Sequence, residues 1–159
     1  MNEKRAVVPI DYSPVSNEVI RKADEWALDH DVEHFFLYVQ EIPEMMNVSA
    51  VGGGYYSTSS DHESRLRHST KQVEELEQQL RQRVRENHVK SPNQIRIDFG
   101  KPYVKILELC EGLMASILIM ASHSHTMAGR VIMGSNTNYL LQHAHCSMYI
   151  LKNYELDNH

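Results

Sequence analysis

A chain of 159 residues is long enough for one domain built on a single core, and the reading here is one domain over residues 1–159. With 23% charged and 42% hydrophobic residues, it has neither the composition of a disordered chain nor that of a membrane-embedded one. A net charge of -5 argues against general binding to nucleic acid or to a membrane surface, both of which need basic side chains, although ten histidines blur that charge near neutral pH.

The polar start, Met1 to Arg5, and the short apolar run after it do not make a secretory signal. Residues Arg5 to Ile10 read as a buried strand. A helix is expected to follow, with Ser13 as its cap, Pro14 at its first position, and Val19, Ala23 and Trp26 on one face. His34 to Val39 reads as the second strand. The segment Glu41 to Ser60, with Pro43, Gly52, Gly53, Gly54 and several serines, reads as a long mobile loop. Leu66, Val73, Leu76, Leu80 and Val84 then recur at helical spacing along the longest helix.

Gln94 to Phe99 is the third strand. A helix over Tyr103 to Glu111 should turn Val104, Leu107 and Cys110 inward and end at Gly112. Ser116 to Ala121 is the fourth strand, and its apolar part is far too short to span a bilayer. A loop leads to a fourth helix from Ser135, carrying Tyr139, Leu140 and Leu141, and Ser147 to Lys152 is the fifth strand. Cys110 and Cys146 read as two reduced, buried thiols, and the expected location is cytoplasmic.

Strands alternating with helices predict an α/β fold with a doubly wound, five-stranded parallel sheet covered on both faces. Ligands of such sheets bind beyond the carboxyl ends of the strands, where the strand order reverses. That rule selects Pro9 to Ser13, Val39 to Ile42, Gly100 to Pro102 and Ala121 to Ser135. Gly134-Ser135 at a helix start can hold a phosphate on unpaired backbone amides, with Asn136 adding an amide; it can equally be a plain helix cap. His123, His125, His143, His145 and Cys146 lack compact ligand spacing, so no metal site is assigned. The sequence contains no Walker A loop, no Gly-x-Gly-x-x-Gly after the first strand and no Gly-x-Ser-x-Gly elbow.

Three stretches carry a more specific likeness: Val7-Val8-Pro9-Ile10-Asp11-Tyr12-Ser13, then Gly100-Lys101-Pro102 with Ile106-Leu107-Glu108-Leu109, then Ala121-Ser122-His123, Met133-Gly134-Ser135-Asn136 and Gln142 to Ser147. Together they resemble the universal stress protein family, and most of all its bacterial F-type branch. The resemblance implies the adenine nucleotide alpha hydrolase-like fold, with strand order 3-2-1-4-5. It also implies an ATP or AMP ligand, with Mg as an optional companion, and a homodimer formed through the last strand, 147–152.

Nucleotide-binding members carry glycine, two residues, glycine, nine residues, then glycine with serine or threonine. Here Ala121 and Ser124 replace the first two glycines, while Gly134-Ser135 is kept at the family's spacing. By resemblance Asp11 reaches the base or ribose, Pro9 and Ile10 shape the base pocket, and Val39 packs on adenine with Met120 in the floor. Ser124 is placed to offer a hydroxyl to a phosphate. Read without the family, Asp11 is a turn residue and Val39 and Met120 are ordinary core. The resulting expectation is a nucleotide-binding module in stress tolerance, without assigned catalytic residues. The alternatives are the same fold acting through protein contacts alone and, ranked lowest, a slow ATPase.

Overall fold

The computed structural model describes residues 4–41, 59–122, 124–127 and 130–152. Seven strands are found among them, β1 (Lys4–Pro9), β2 (Val32–Gln40), β3 (Asn93–Phe99), β4 (Ile117–Ser122), β5 (Ser124–Met127), β6 (Arg130–Met133) and β7 (Ser147–Lys152), together with four helices, α1 (Val15–His30), α2 (Ser59–Glu86), α3 (Pro102–Gly112) and α4 (Ser135–His143). Five strands form one all-parallel sheet in the order β3-β2-β1-β4-β7, the expected 3-2-1-4-5 arrangement.

The inner strands β1, β2 and β4 are apolar on both faces, and the side-chain period of two divides them between two cores. Ala6, Val8, Phe36, Ile117 and Ile119 point to one face, where α1 adds Val19, Ile20, Ala23 and Ala27, and α2 adds Leu80 and Val84. Val7, Leu37, Leu118 and Met120 point to the other, where α3 adds Ile106 and Cys110, and α4 adds Leu140. Among the described residues no helix is long and apolar enough to cross a membrane.

Several expectations need correction. The stretch after β4 is not a plain loop, since β5 and β6 pair antiparallel, Ser124 opposite Met133. Ser13 does not cap α1 with its side chain, which donates instead to Asp11. Ser135 is the first residue of α4 rather than its cap; Gly134 holds the cap position, with no side-chain bond. In α3 the buried residues are Ile106 and Cys110, with Val104 and Leu107 only half-buried. In α4, Thr137 and Leu140 are buried while Tyr139 and Leu141 are exposed, because Tyr139 turns outward to stack between Tyr103 and His143. Residues 42–58 of the predicted Glu41 to Ser60 loop lie outside the described residues, and α2 already begins at Ser59.

A buried polar joint ties α1 to the sheet. Asp24 accepts the backbone N–H groups of Lys90 at 3.0 Å and Ser91 at 2.8 Å. The Ser91 hydroxyl lies 3.0 Å from Nδ1 of His34, which is fully buried. Burial pushes the His34 pKa down to about 4 from its ordinary 6.5, against the pull of the Asp24 carboxylate. The unfolded chain therefore takes up this proton first. Stability from the neutral imidazole is intact above pH 6.5 and is lost as pH falls toward 4. In His34→Gln the loss of stability between those two pH values should be smaller than in the parent by about 3 kcal/mol. Urea denaturation at a series of pH values measures this, and equal slopes for the two proteins would refute it.

Candidate functional site

The strand order reverses between β1 and β4, and there the sheet comes apart at its carboxyl end. β1 pairs with β2 along its whole length, from Lys4↔Val32 to Pro9↔Leu37. With β4 it pairs only at Ala6↔Ile117 and Val7↔Leu118. The chemistry of Pro9 accounts for the asymmetry. The carbonyl of Arg5 accepts from Ser116 at 2.9 Å, so alternate residues of β1 face β4, while the N–H of Ile10 donates to the Leu37 carbonyl at 2.9 Å on the β2 side. The backbone nitrogen of Pro9 is therefore the one aimed at β4, and it carries no hydrogen. β4 continues beside β7 as far as Ser122↔Lys152, and the two inner strands separate.

The gap is a crevice of about 380 Å³. Small-molecule pockets occupy ~300–1,000 Å³, so it suits one small ligand. Pro9, Ile10 and Asp11 line it from the exit of β1, Val39 from β2, Met120 and Ala121 from β4, and Asn136 from α4. Seven of the ten sequence-predicted site residues are thus brought together. Gly134 and Ser135 stand at the start of α4 without lining the crevice. Ser124 opens β5, and its side chain lies outside the described ones.

Asp11 is held by a tight turn. Its Oδ1 accepts the N–H of Ser13 at 2.9 Å and the hydroxyls of Ser13 and, at 2.7 Å, Ser16. The Ser16 hydroxyl in turn accepts the Asp11 N–H at 2.9 Å. This is the aspartate-led turn that carries a chain from a strand into a helix, so Asp11 serves the turn and lines the crevice at once. At the opposite wall the first i→i+4 bond of α4 runs from Asn138 N–H to the Gly134 carbonyl at 3.0 Å. The amides of Ser135, Asn136 and Thr137 precede it and have no partner within the helix. Thr137 is buried and lines the crevice beside Asn136.

The outer rim is polar and acidic. Glu41 and Gln40 line it, and the Tyr38 hydroxyl donates to Gln40 Oε1 at 3.1 Å. Burial, with the carboxylates of Asp11 and Glu41 nearby, pushes the Tyr38 pKa up, which keeps it a neutral donor. Lys101 is exposed at the cap of α3 and does not line the crevice. Among the described residues no group of three or more His, Cys, Asp or Glu side chains is gathered to hold a metal. His123 and the side chain of His125 lie outside the described residues.

Sequence reasoning missed Ser16, Tyr38 and Thr137, whereas Gln40 and Glu41 fall in the selected Val39 to Ile42 stretch. Thr137 follows Gly134 by three residues and so shares its helical turn, a spacing that was available as a signal. Ser16 and Tyr38 gave none, since both sit inside patterns that read as ordinary helix and strand.

The profile described as the universal stress protein family matches residues 3–152. The chain is 23% identical to universal stress protein MJ0531 of Methanocaldococcus jannaschii over 149 residues, which cover 94% of this chain and 82% of that one. It is similar in fold to a universal stress protein solved in complex with cAMP, with a TM-score of 0.62, 16% identity, and 96% and 98% of the two chains covered. It is similar also to the universal stress protein from Archaeoglobus fulgidus in complex with dAMP, with a TM-score of 0.54, 16% identity, and 94% and 98% covered.

If the absent Pro9 donor keeps β1 and β4 apart, Pro9→Ala returns a hydrogen aimed at β4. The new amide should then be protected from solvent exchange to a degree similar to Val7, as read by amide hydrogen-exchange NMR. A freely exchanging residue 9 would show that something else holds the seam open.

Proposed function

Because the chain belongs to the universal stress protein family, we propose that it is a binding module for an adenine nucleotide, ATP or AMP, acting in stress tolerance as a symmetric dimer. The observation that carries the reading is the open β1–β4 seam. It sets the exit of β1, the end of β4 and the start of α4 around one crevice of ligand size. The relatives in complex with cAMP and dAMP support an adenine ligand. In this reading Val39 and Met120 are the apolar walls for the base, with Pro9 and Ile10 closing its edge. Asp11 stands by the ribose, and Ala121 lies beneath. The amides from Gly134 to Asn136, with the Ser124 hydroxyl, take the phosphate end. The closing Gln142 to Ser147 motif is what we take to place the chain near the F-type branch.

The backbone conformation at the replaced glycines does not weigh against binding. Ala121 lies within β4 and Ser124 within β5, both extended positions that any residue adopts. β7 is an outer strand of the sheet, with β4 on one side only, and such an edge can pair with its own copy about a two-fold axis.

Gly134 has φ -59° and ψ 154°, a conformation open to valine, so Gly134→Val should leave α4 folded and obstruct only the approach of a phosphate. Calorimetric titration with ATP and with AMP should show a loss of roughly tenfold or more in affinity, about 1.4 kcal/mol, with an unchanged thermal midpoint. If neither nucleotide binds the parent chain and none is released from freshly purified protein, the binding reading fails and the chain acts through protein contacts. Hydrolysis that survives repurification and vanishes in Asp11→Ala would make it an enzyme instead.

For the dimer, light scattering should give twice 18.4 kDa for the parent and 18.4 kDa for Tyr149→Arg, which sets like charges on the exposed edge strand. A parent chain that scatters as a monomer at micromolar concentration would end that part of the proposal.

A further inference from the structure

Outside the crevice, the second core takes in both of the chain's cysteines. Cys110, in the last turn of α3, is buried among Ile106, Leu118 and Leu140, and Cys146, in the residue before β7, packs against the same cluster. They are 36 positions apart in sequence, yet α3 lies against the end of the sheet that β7 enters. The backbone holds both ends of this contact. The Ala115 N–H donates to the Cys110 carbonyl at 2.8 Å, and the Ser147 N–H donates to the Ser116 carbonyl at 3.2 Å. One thiol is shielded and the other is half-exposed, so a small oxidant in solution meets Cys146 first.

We propose that Cys110 and Cys146 form a peroxide-reactive dithiol that closes to an intramolecular disulfide, with Cys146 as the attacking thiol and Cys110 as the resolving one. The Cys146 thiolate attacks one oxygen of hydrogen peroxide. The O–O bond breaks, hydroxide leaves and is protonated to water, and Cys146 becomes a sulfenic acid. The Cys110 sulfur then attacks the Cys146 sulfur. The S–S bond forms, the S–O bond breaks, and the departing hydroxide takes the Cys110 proton as a second water. Two thiols lose two electrons, and one peroxide gains them.

The electrostatics of the pair fit this division of labour. The neighbouring Cys110 thiol draws the Cys146 pKa down from its ordinary value, which favours the Cys146 thiolate. The same contact, together with burial, pushes the Cys110 pKa up, so it stays a protonated, inert thiol until a sulfenic acid forms beside it. The bridge would tie α3 to β7 around the intervening residues, which include β4 and α4. Fixing that loop restricts the unfolded chain and stabilises the fold. Nothing in this inference depends on the nucleotide.

The test uses the full chain, reduced, desalted and treated with hydrogen peroxide, then analysed by intact mass and by non-reducing peptide mapping. The expected result is a loss of the mass of two hydrogens, one peptide pair joined through residues 110 and 146, and a thermal midpoint raised by roughly 5 °C and restored by dithiothreitol. Cys110→Ser should stop at a sulfenic acid on Cys146 that dimedone traps. Cys146→Ser should consume peroxide at least ~10-fold more slowly than the parent, since its remaining thiol is buried and protonated. A parent chain that gains oxygen without bridging, that bridges only between two chains, or that is no faster than Cys146→Ser overturns the proposal. The parent's own mass and peptide map decide the matter even if a serine variant folds poorly.

Discussion

A single missing hydrogen, on the backbone nitrogen of Pro9, shapes the working end of this molecule. In a parallel sheet each inner strand shares hydrogen bonds with both neighbours, and proline can be tolerated only where a rung is given up. In β1 the surrendered rung faces β4, across the place where the strand order turns back. Proline on the other parity would have broken the β1–β2 ladder, which instead runs complete to Pro9↔Leu37 and is extended by the bond from Ile10 to Leu37. One residue thus directs the separation of strands to the side where helices following β1 and β4 also diverge.

An open seam is useful only if its walls stay put, and here the two cores supply the stiffness. Each strand beside the crevice is anchored on both faces: Val8 and Ile119 against α1, Val7 and Leu118 against α3 and α4. Buried side chains in such close-packed layers move little. The polar groups at the rim are fixed by different means. Asp11 and Ser16 exchange hydrogen bonds across the strand-to-helix turn, so the carboxylate at the mouth is oriented before any ligand arrives. Preorganised donors and acceptors of this kind lessen the ordering that binding would otherwise demand.

The sheet was readable from sequence because its strands are short runs rich in β-branched and aromatic residues, unbroken in β4 and alternating in β3, and the predicted runs end within one or two residues of the observed strands. The crevice residues on strands were readable for the same reason, since the topology rule needs only strand ends. The inward faces of α1 at Val19 and Ala23 and of α2 at Leu80 and Val84 are buried as their spacing predicts, but those of α3 and α4 were less visible. In α3 the buried side chains are Ile106 and Cys110, four apart, a face that competes with the equally apolar positions 104 and 107. In α4 the aromatic stack of Tyr103, Tyr139 and His143 takes Tyr139 out of the core, a tertiary choice with no local signature. The β5–β6 hairpin has four-residue strands, too short to show a period.

The replaced glycines mark a boundary in how much a motif can say. A motif glycine has two separable uses, a backbone conformation closed to other residues and room for close approach. At positions 121 and 124 the first use is absent, because both residues are extended strand, and Gly100 with φ 133° shows where this fold does demand the left-handed region. Only room remains at stake. Ala121 adds one methyl to a crevice whose other liners there, Met120 and Pro9, already define an apolar wall. At position 134 the same holds. The φ of -59° would accept any side chain, so conformation does not account for glycine there. At all three positions, then, the backbone conformation itself is open to residues other than glycine.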